Sequence, residues 1–278
     1  MNLILLVSII LGVLFQSVSR KNCKSGAFSF SFVCSLTSAM FFVFTAAFKF
    51  SFNISLLPYV IAFAMSFGMA TVGIFFAIKA GSLSLTSLAN SYSLIIPCIY
   101  GLLFLKEMSS VFMYVGLVFL FLSFSLINVK KGDNKITALW VIYASMVFLG
   151  NGFCSTIQKM QQVAFNGAYK NEFMALSLLL ISVVMLFFVL FREKNIFIAS
   201  VKEDFAWMVG CGLANGAVNL FVMILSGKMA TSIMFPLISA GGIIATWIVS
   251  RLFYREKLTT YQNIGLILGV ISVIFLNI

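Results

Sequence analysis

The chain has 278 residues, of which 62% are hydrophobic and 9% charged, and its mean hydropathy is +1.12. Soluble proteins are about one quarter charged, so this composition excludes a water-soluble globular domain. The net charge of +11 does not indicate nucleic-acid binding, because no predicted span is basic and the charges cluster where the spans end.

Ten apolar runs follow one another along the chain, each about as long as a helix that crosses roughly 30 Å of hydrocarbon. Lipid gives the backbone no hydrogen-bond partners, so the runs are predicted to be helical. The first run is predicted to be a retained helix and not a signal peptide, because no positive charge precedes it. The predicted fold is therefore an all-α integral membrane protein with ten transmembrane helices. The spans are 2–18, 27–48, 54–78, 82–104, 109–129, 137–158, 172–191, 205–227, 231–250 and 259–277.

Lysine and arginine are unequally divided between the two sides of the predicted membrane. The odd-numbered loops hold 13 of them and the even-numbered loops hold 5. The positive-inside rule then places the odd-numbered loops in the cytoplasm and both termini outside. We expect the membrane to be a bacterial cytoplasmic membrane.

One pattern occurs twice, 149 positions apart, as LFLKEMSSVFMYVG at 103–116 and LFYREKLTTYQNIG at 252–265. An earlier stretch, LGVLFQSVSRK at 11–21, is similar to LGNGFCSTIQK at 149–159. We interpret the chain as two five-helix units, residues 1–132 and 133–278. Because five is odd, the two units enter the membrane from opposite sides. Such an inverted repeat is typical of alternating-access carriers with a site near the midplane.

The last helix pair of each half shows a further likeness. In the first half, a helix rich in small residues contains Pro97 and is followed by the acidic corner residue Glu107 and a helix with an early glycine. The second half repeats the acidic corner as Glu256 but has Thr246 in place of Pro97. This pattern resembles the drug/metabolite transporter superfamily, of the EamA type, over the whole chain. The resemblance implies a ten-helix carrier but no particular substrate, and it implies cytoplasmic termini, contrary to the charge count.

Polar side chains inside the spans are the candidates for substrate binding, because such groups usually face the bundle interior or a water-filled cavity. Asn215 and Asn219 are four positions apart and so share one helix face. We expect both, with Asn151, to face a cavity between the two halves. Interhelical hydrogen bonding, worth about 0.6 kcal/mol on average, is the alternative role. The candidates are Gln16, Asn90, Tyr92, Asn151, Asn215, Asn219 and Ser239.

Four charged residues near the ends of spans are candidates for gating or for corner structure: Glu107, Glu256, Lys79 and Lys228. Each glutamate lies near the start of a helix, where the helix dipole favours a negative charge. The two lysines occupy equivalent positions of the repeat, and they are alternatively explained by side chains that reach for the membrane surface.

The residues that catalysis and metal binding usually need are missing from the predicted spans. The sequence has no histidine, its seven acids lie in loops or at span ends, and its five cysteines show no CxxC spacing. We therefore expect no metal, no cofactor and no enzymatic activity. An interior without carboxylates favours a neutral or zwitterionic solute. It also favours facilitated diffusion or exchange over coupling to protons.

The sequence thus predicts a carrier for a small metabolite or an amphipathic compound. The alternative is a membrane protein of the same fold that handles or flips lipids or lipid-linked sugars, which a lateral opening between helices would favour. The expected partners are a small-molecule substrate and the lipid bilayer. Both a monomer and a homodimer fit the sequence.

Overall fold

The computed structural model describes residues 2–46, 50–51, 53–80, 86, 89–90, 92–106, 111–127, 137–239, 241–242 and 260–275. Within these ranges the chain is almost wholly helical and has no strand, which confirms the all-α class. A 3₁₀ turn (Ile54–Leu56) precedes α3, a π-helical turn (Val189–Glu193) extends α7, and residues 231–239 are also helical. The α-helices are α1 (Asn2–Asn22), α2 (Ala27–Thr45), α3 (Leu57–Ala80), α4 (Ile95–Leu103), α5 (Val111–Ile127), α6 (Ala138–Ala164), α7 (Lys170–Phe188), α8 (Phe197–Ser226) and α9 (Thr260–Phe275).

Six helical segments of the described chain are long and apolar enough to cross a membrane. Large apolar side chains point outward from them; Ile4, Met65 and Phe191 are each about 70% exposed. The chain is therefore a multi-pass membrane protein. Residues 81–85 and 243–259 lie outside the described ranges, so the count of ten helices stays a prediction. The six segments are Leu3–Arg20, Ala27–Thr45, Ile54–Ala80, Ala138–Ala164, Lys170–Glu193 and Phe197–Ser226.

Three helices extend beyond the boundaries that the apolar pattern predicts. The pattern ends α1 near residue 18 and α6 near residue 158, and it begins α8 near residue 205. The helices instead reach Asn22 and Ala164, and α8 begins at Phe197. The apolar run measures only the part of a helix that suits lipid, whereas Arg, Lys and Gln continue a helix readily. The extensions place Arg20 and Gln158 inside helices.

Glycines bring two pairs of helices into backbone contact. A Cβ added at Gly150 of α6 would lie 2.6 Å from the backbone nitrogen of Ala70 in α3. A Cβ added at Gly212 of α8 would lie 2.7 Å from the carbonyl oxygen of Cys34 in α2. Small residues allow this close approach of membrane helices, which adds van der Waals contact where lipid gives no hydrophobic drive. The pairs α3–α6 and α2–α8 therefore pack with their backbones in contact.

Helices α5 and α9 are joined by two reciprocal hydrogen bonds. The Ser123 hydroxyl donates to the Gly265 carbonyl, and the Ser272 hydroxyl donates to the Gly116 carbonyl at 2.8 Å. Ser123 and Ser272 are 149 positions apart, and so are Gly116 and Gly265. The contact between these helices therefore follows the offset that the sequence repeat shows.

The carboxylate of Glu193 holds the start of α2. It accepts hydrogen bonds from the backbone N–H of Phe28 at 3.1 Å, and from the N–H and hydroxyl of Ser29 at 2.8 and 2.6 Å. The first N–H groups of a helix have no partner inside it, and the helix dipole favours a negative charge there. Gly26 leaves the room for this acid, because a Cβ at Gly26 would lie 2.2 Å from the Glu193 Oε2.

A second acid, Asp204, holds the connection between α1 and α2. Its Oδ2 accepts from the backbone N–H groups of Lys24 and Ser25, each at 2.8 Å. The neighbouring Cys23 thiol lies 2.6 Å from the Ser25 hydroxyl. Burial raises the pKa of Cys23 to about 11, with a smaller contribution from Asp204. The Cys23 thiol is therefore protonated at neutral pH and is a weak nucleophile.

A buried lysine joins α6 to the end of α8. Lys159 is 7% exposed, and its Nζ donates to the carbonyl oxygens of Ser226 at 2.8 Å and Met229 at 3.1 Å. A cation at a helix C-terminus is favoured by the helix dipole. The charge count places Lys159 in a loop, because the predicted span ends at residue 158. That assignment is wrong, because Lys159 lies in α6 and binds carbonyls inside the bundle.

We predict that Glu193→Gln lowers the free energy of unfolding by about 1.5–3 kcal/mol, because a hydrogen bond to a charged group contributes about that much. Thermal unfolding of the purified protein in detergent measures the change. Glu203→Gln is the matched control, since Glu203 is exposed on α8. Equal midpoints for the two variants would contradict the role given to Glu193.

Candidate functional site

A cavity of about 150 Å³, counted as the space that the centre of a water molecule can occupy, lies inside the bundle. Its walls come from α1, α3, α6 and α8, with further residues from 90–94 and 235–242. One water needs roughly 10–15 Å³ by this measure, so there is room for about ten waters or one small solute. The cavity is the strongest candidate for a solute site in the described part of the chain.

Six of the seven predicted substrate-binding residues line this cavity: Gln16, Asn90, Asn151, Asn215, Asn219 and Ser239. They come from α1, α6, α8 and the segments near residues 90 and 239, so the fold brings together residues that the sequence places far apart. Their lining of the cavity is what the pattern of polar residues predicts; their binding of a substrate stays a prediction.

Tyr92 does not line the cavity with the others. Its ring centroid lies 5.9 Å from that of Phe121 on α5. A helix turns about 100° per residue, so a residue two positions after Asn90 points to nearly the opposite side. Tyr92 therefore packs against α5, and its binding of a substrate stays a prediction.

Side-chain amides form a chain of hydrogen bonds along one wall. Gln158 of α6 donates to the Asn219 Oδ1 at 2.7 Å, and Asn219 donates to the Asn215 Oδ1 at 3.2 Å. Asn215 donates in turn to the Ser38 hydroxyl of α2 at 3.1 Å. This network connects three helices and fixes the orientation of the amides before any solute arrives.

Asn151 stands at the middle of α6, the fourteenth of its 27 residues. Its Nδ2 donates to the Ser93 hydroxyl at 2.6 Å, just before α4. Asn151 therefore joins the middle of α6 to the chain before α4, and its binding of a solute near the membrane midplane stays a prediction.

Two residues that line the cavity are not among the candidates of the sequence analysis. Arg20 is assigned there to a loop, yet it follows Gln16 by one turn on the same face of α1 and lines the cavity. Gln158 is assigned to the end of a span, and it also lines the cavity. The repeat contains a signal for both, since it aligns Arg20 with Gln158 at an offset of 138.

Lining residues of different helices recur at constant separations along the sequence. Positions on α1 and α6 pair at an offset of 138, and positions on α3 and α8 pair at an offset of 148. The side chains within a pair differ, so the walls are related in position but not in chemistry. The pairs are Val13 with Asn151, Gln16 with Cys154, Arg20 with Gln158, Phe67 with Asn215, Ala70 with Val218, Thr71 with Asn219, and Ile74 with Val222.

The predicted gating residues do not line the cavity where they are described. Lys79 is exposed at the end of α3, and its Nζ lies 4.3 Å from the centroid of the Phe75 ring, a cation–π contact. Lys228 is exposed just after α8. Glu107 and Glu256 lie outside the described residues. Gating by these four residues stays a prediction.

Comparison with known proteins agrees with this architecture. An uncharacterized protein of Methanocaldococcus jannaschii is 33% identical over 100 residues, which is 36% of this chain and 71% of that protein. A protein of known crystal structure has a TM-score of 0.78 with this chain at 11% identity, over 99% of this chain and 95% of its own. The latter likeness shows a shared fold.

The profile of the EamA-like transporter family matches residues 135–278, more than half of the chain. The match includes α6 to α9, and so two of the four helices that line the cavity. It confirms the resemblance that the corner motifs indicate. The protein belongs to the EamA-like transporter family, a group of membrane transporters in the drug/metabolite superfamily.

Proposed function

We propose that this protein is an alternating-access carrier that moves a small metabolite across the cytoplasmic membrane, with the cavity as its binding site. The observation that carries the proposal is a cavity inside the helix bundle that six side-chain amides line together with the Arg20 guanidinium. Polar groups inside membranes are costly and mark solute pathways. Here Asn151, Asn215 and Asn219 reach the same space from two helices.

We further propose that residues 1–132 and 133–278 are inverted five-helix halves that rock against each other. Three observations support this: the paired wall positions, the reciprocal bonds between α5 and α9, and the length of the archaeal relative. If 100 residues make 71% of that relative, it has about 140 residues, half the length of this chain. Carriers with inverted repeats alternate by exchanging the conformations of their halves.

The proposed carrier does not move protons through its site. In the described lining, the charged side chain is Arg20, and arginine stays protonated at all physiological pH values. A proton-coupled site needs a group that changes charge within the path. We therefore propose facilitated diffusion or exchange of one solute for another.

We predict that Gly242→Leu blocks the site without unfolding the protein. Gly242 lines the cavity, and among the described residues a Cβ there would meet no atom within 4 Å. A leucine side chain can therefore enter the cavity and occupy the space of the solute. Gly242→Ala is the control at the same position, because its single methyl group leaves most of the cavity open.

The measurement begins with a thermal-shift screen of the purified protein against neutral, zwitterionic and anionic metabolites and lipid head groups. A ligand of the folded state raises stability by RT ln(1 + [L]/Kd). Uptake into proteoliposomes is then measured for the compound that stabilises the protein most. Uptake by wild type and Gly242→Ala, with loss in Gly242→Leu, is expected; unchanged uptake in Gly242→Leu would refute the site. A response to lipid head groups alone would favour the lipid-handling alternative.

A separate prediction concerns coupling. Uptake should run down the gradient of the solute and stay unchanged when a pH gradient is imposed across the liposome membrane, because the described lining has no group that exchanges protons. A protonophore is the control for leaks. Accumulation above equilibrium that the protonophore abolishes would show proton coupling.

The orientation of the termini is proposed from the charge count, which places both outside. A fluorescent protein that folds only in the cytoplasm, fused after Ile278, should stay dark. The same reporter fused within the α7–α8 connection, near Lys194, should be bright. The opposite pattern would mean that the usual orientation of the family holds for this chain.

A further inference from the structure

Arg20 has an unusual setting for a charged residue of a membrane helix. It lies in the last turn of α1 and lines the cavity, and its Nε is buried without a hydrogen-bond partner. The residue as a whole is partly buried, and removing a charge from water without a counter-charge is costly. Such a side chain is suited to a partner that arrives from outside.

Two described acids bind backbone groups around the connection from α1 to α2. Glu193 binds the first turn of α2, and Asp204 binds the N–H groups of Lys24 and Ser25 just after α1. Among the described residues, no carboxylate forms an ion pair with Arg20. The guanidinium therefore has no protein counter-ion in this part of the chain.

The rest of the wall suits an organic group. On α1 the lining passes from Arg20 to Gln16, then to Val13, Ile10 and Ile9. These positions span 11 residues, which at 1.5 Å per residue is about 16 Å. A solute with an anionic end at Arg20 would thus lay its remaining atoms along amide and aliphatic side chains. An inorganic anion would leave that surface unused.

The two halves differ at this position. The equivalent of Arg20 is Gln158, which is uncharged and donates to Asn219. The described lining therefore carries one guanidinium, at the α1 position. One fixed positive charge matches a solute with one anionic group.

We propose that Arg20 binds the anionic group of the transported solute, which is a small organic anion or zwitterion carrying one carboxylate or phosphate. The inference rests on the proposed carrier function, and it excludes the neutral solute that the sequence left open. The planar guanidinium donates two parallel hydrogen bonds to either group, a geometry that lysine does not reproduce.

The test compares matched compounds on the purified full-length protein. Short-chain monocarboxylates, their primary amides and the corresponding alkyl phosphates are added to wild type, Arg20→Lys and Arg20→Gln, and thermal unfolding and binding are measured. Stabilisation by the acids or the phosphates, but not by the amides, is expected for wild type. Which of the two anions stabilises more identifies the group. Affinity should fall about ten-fold or more in Arg20→Gln, because a charge-assisted hydrogen bond contributes about 1.5–3 kcal/mol, and less in Arg20→Lys.

Equal stabilisation of the wild type by acids and amides, or no stabilisation by either anion, would overturn the inference. Because this outcome is measured on the wild type alone, it does not depend on how the variants fold. The carrier function is judged separately. If a neutral solute is transported, is stopped by Gly242→Leu and is unaffected by Arg20→Gln, then the function stands and the anion inference is wrong. If anions bind but Gly242→Leu leaves their uptake unchanged, the proposed path fails instead.

Discussion

The lack of hydrogen-bond partners in lipid is the constraint on which this structure depends. It makes the chain helical, turns large apolar side chains outward and sends polar side chains into the bundle. Inside, a polar group must find protein partners or water. The amide chain from Gln158 through Asn219 and Asn215 to Ser38 meets that requirement across three helices. The cavity beside these amides is thus a consequence of the same constraint, since their remaining polar atoms need water or a solute.

Close packing holds three pairs of helices together. Gly150 lets α6 approach α3, Gly212 lets α8 approach α2, and two serine hydroxyls join α5 to α9. At the ends, Glu193 fixes the start of α2. The cavity lies beside these contacts and is lined by α1, α3, α6 and α8. In the proposed cycle, movement across this space exchanges the side to which it opens.

Much of this arrangement follows from the sequence because hydropathy and polarity are strong signals in a membrane protein. The apolar runs locate the helices, and the rare polar residues within them locate the cavity, as for Asn151. The signals fail where polarity is ambiguous. Arg20 looks like a loop residue because an arginine at the end of an apolar run usually meets water, and only the length of α1 shows otherwise. Polarity alone also does not tell which side of a helix faces the cavity, so it does not separate Tyr92 from Asn90.

The measurement that tests alternating access most directly is the labelling of a single cysteine in the cavity. In a variant whose five native cysteines are replaced, Gly242→Cys is treated with a small membrane-impermeant thiol reagent, in right-side-out and in inside-out vesicles. A cysteine at Leu213, which is 48% exposed on the outer surface of α8, is the control. The account predicts labelling at position 242 from both sides of the membrane and no comparable labelling at position 213. Labelling at position 242 from neither side, or from one side only, would contradict it.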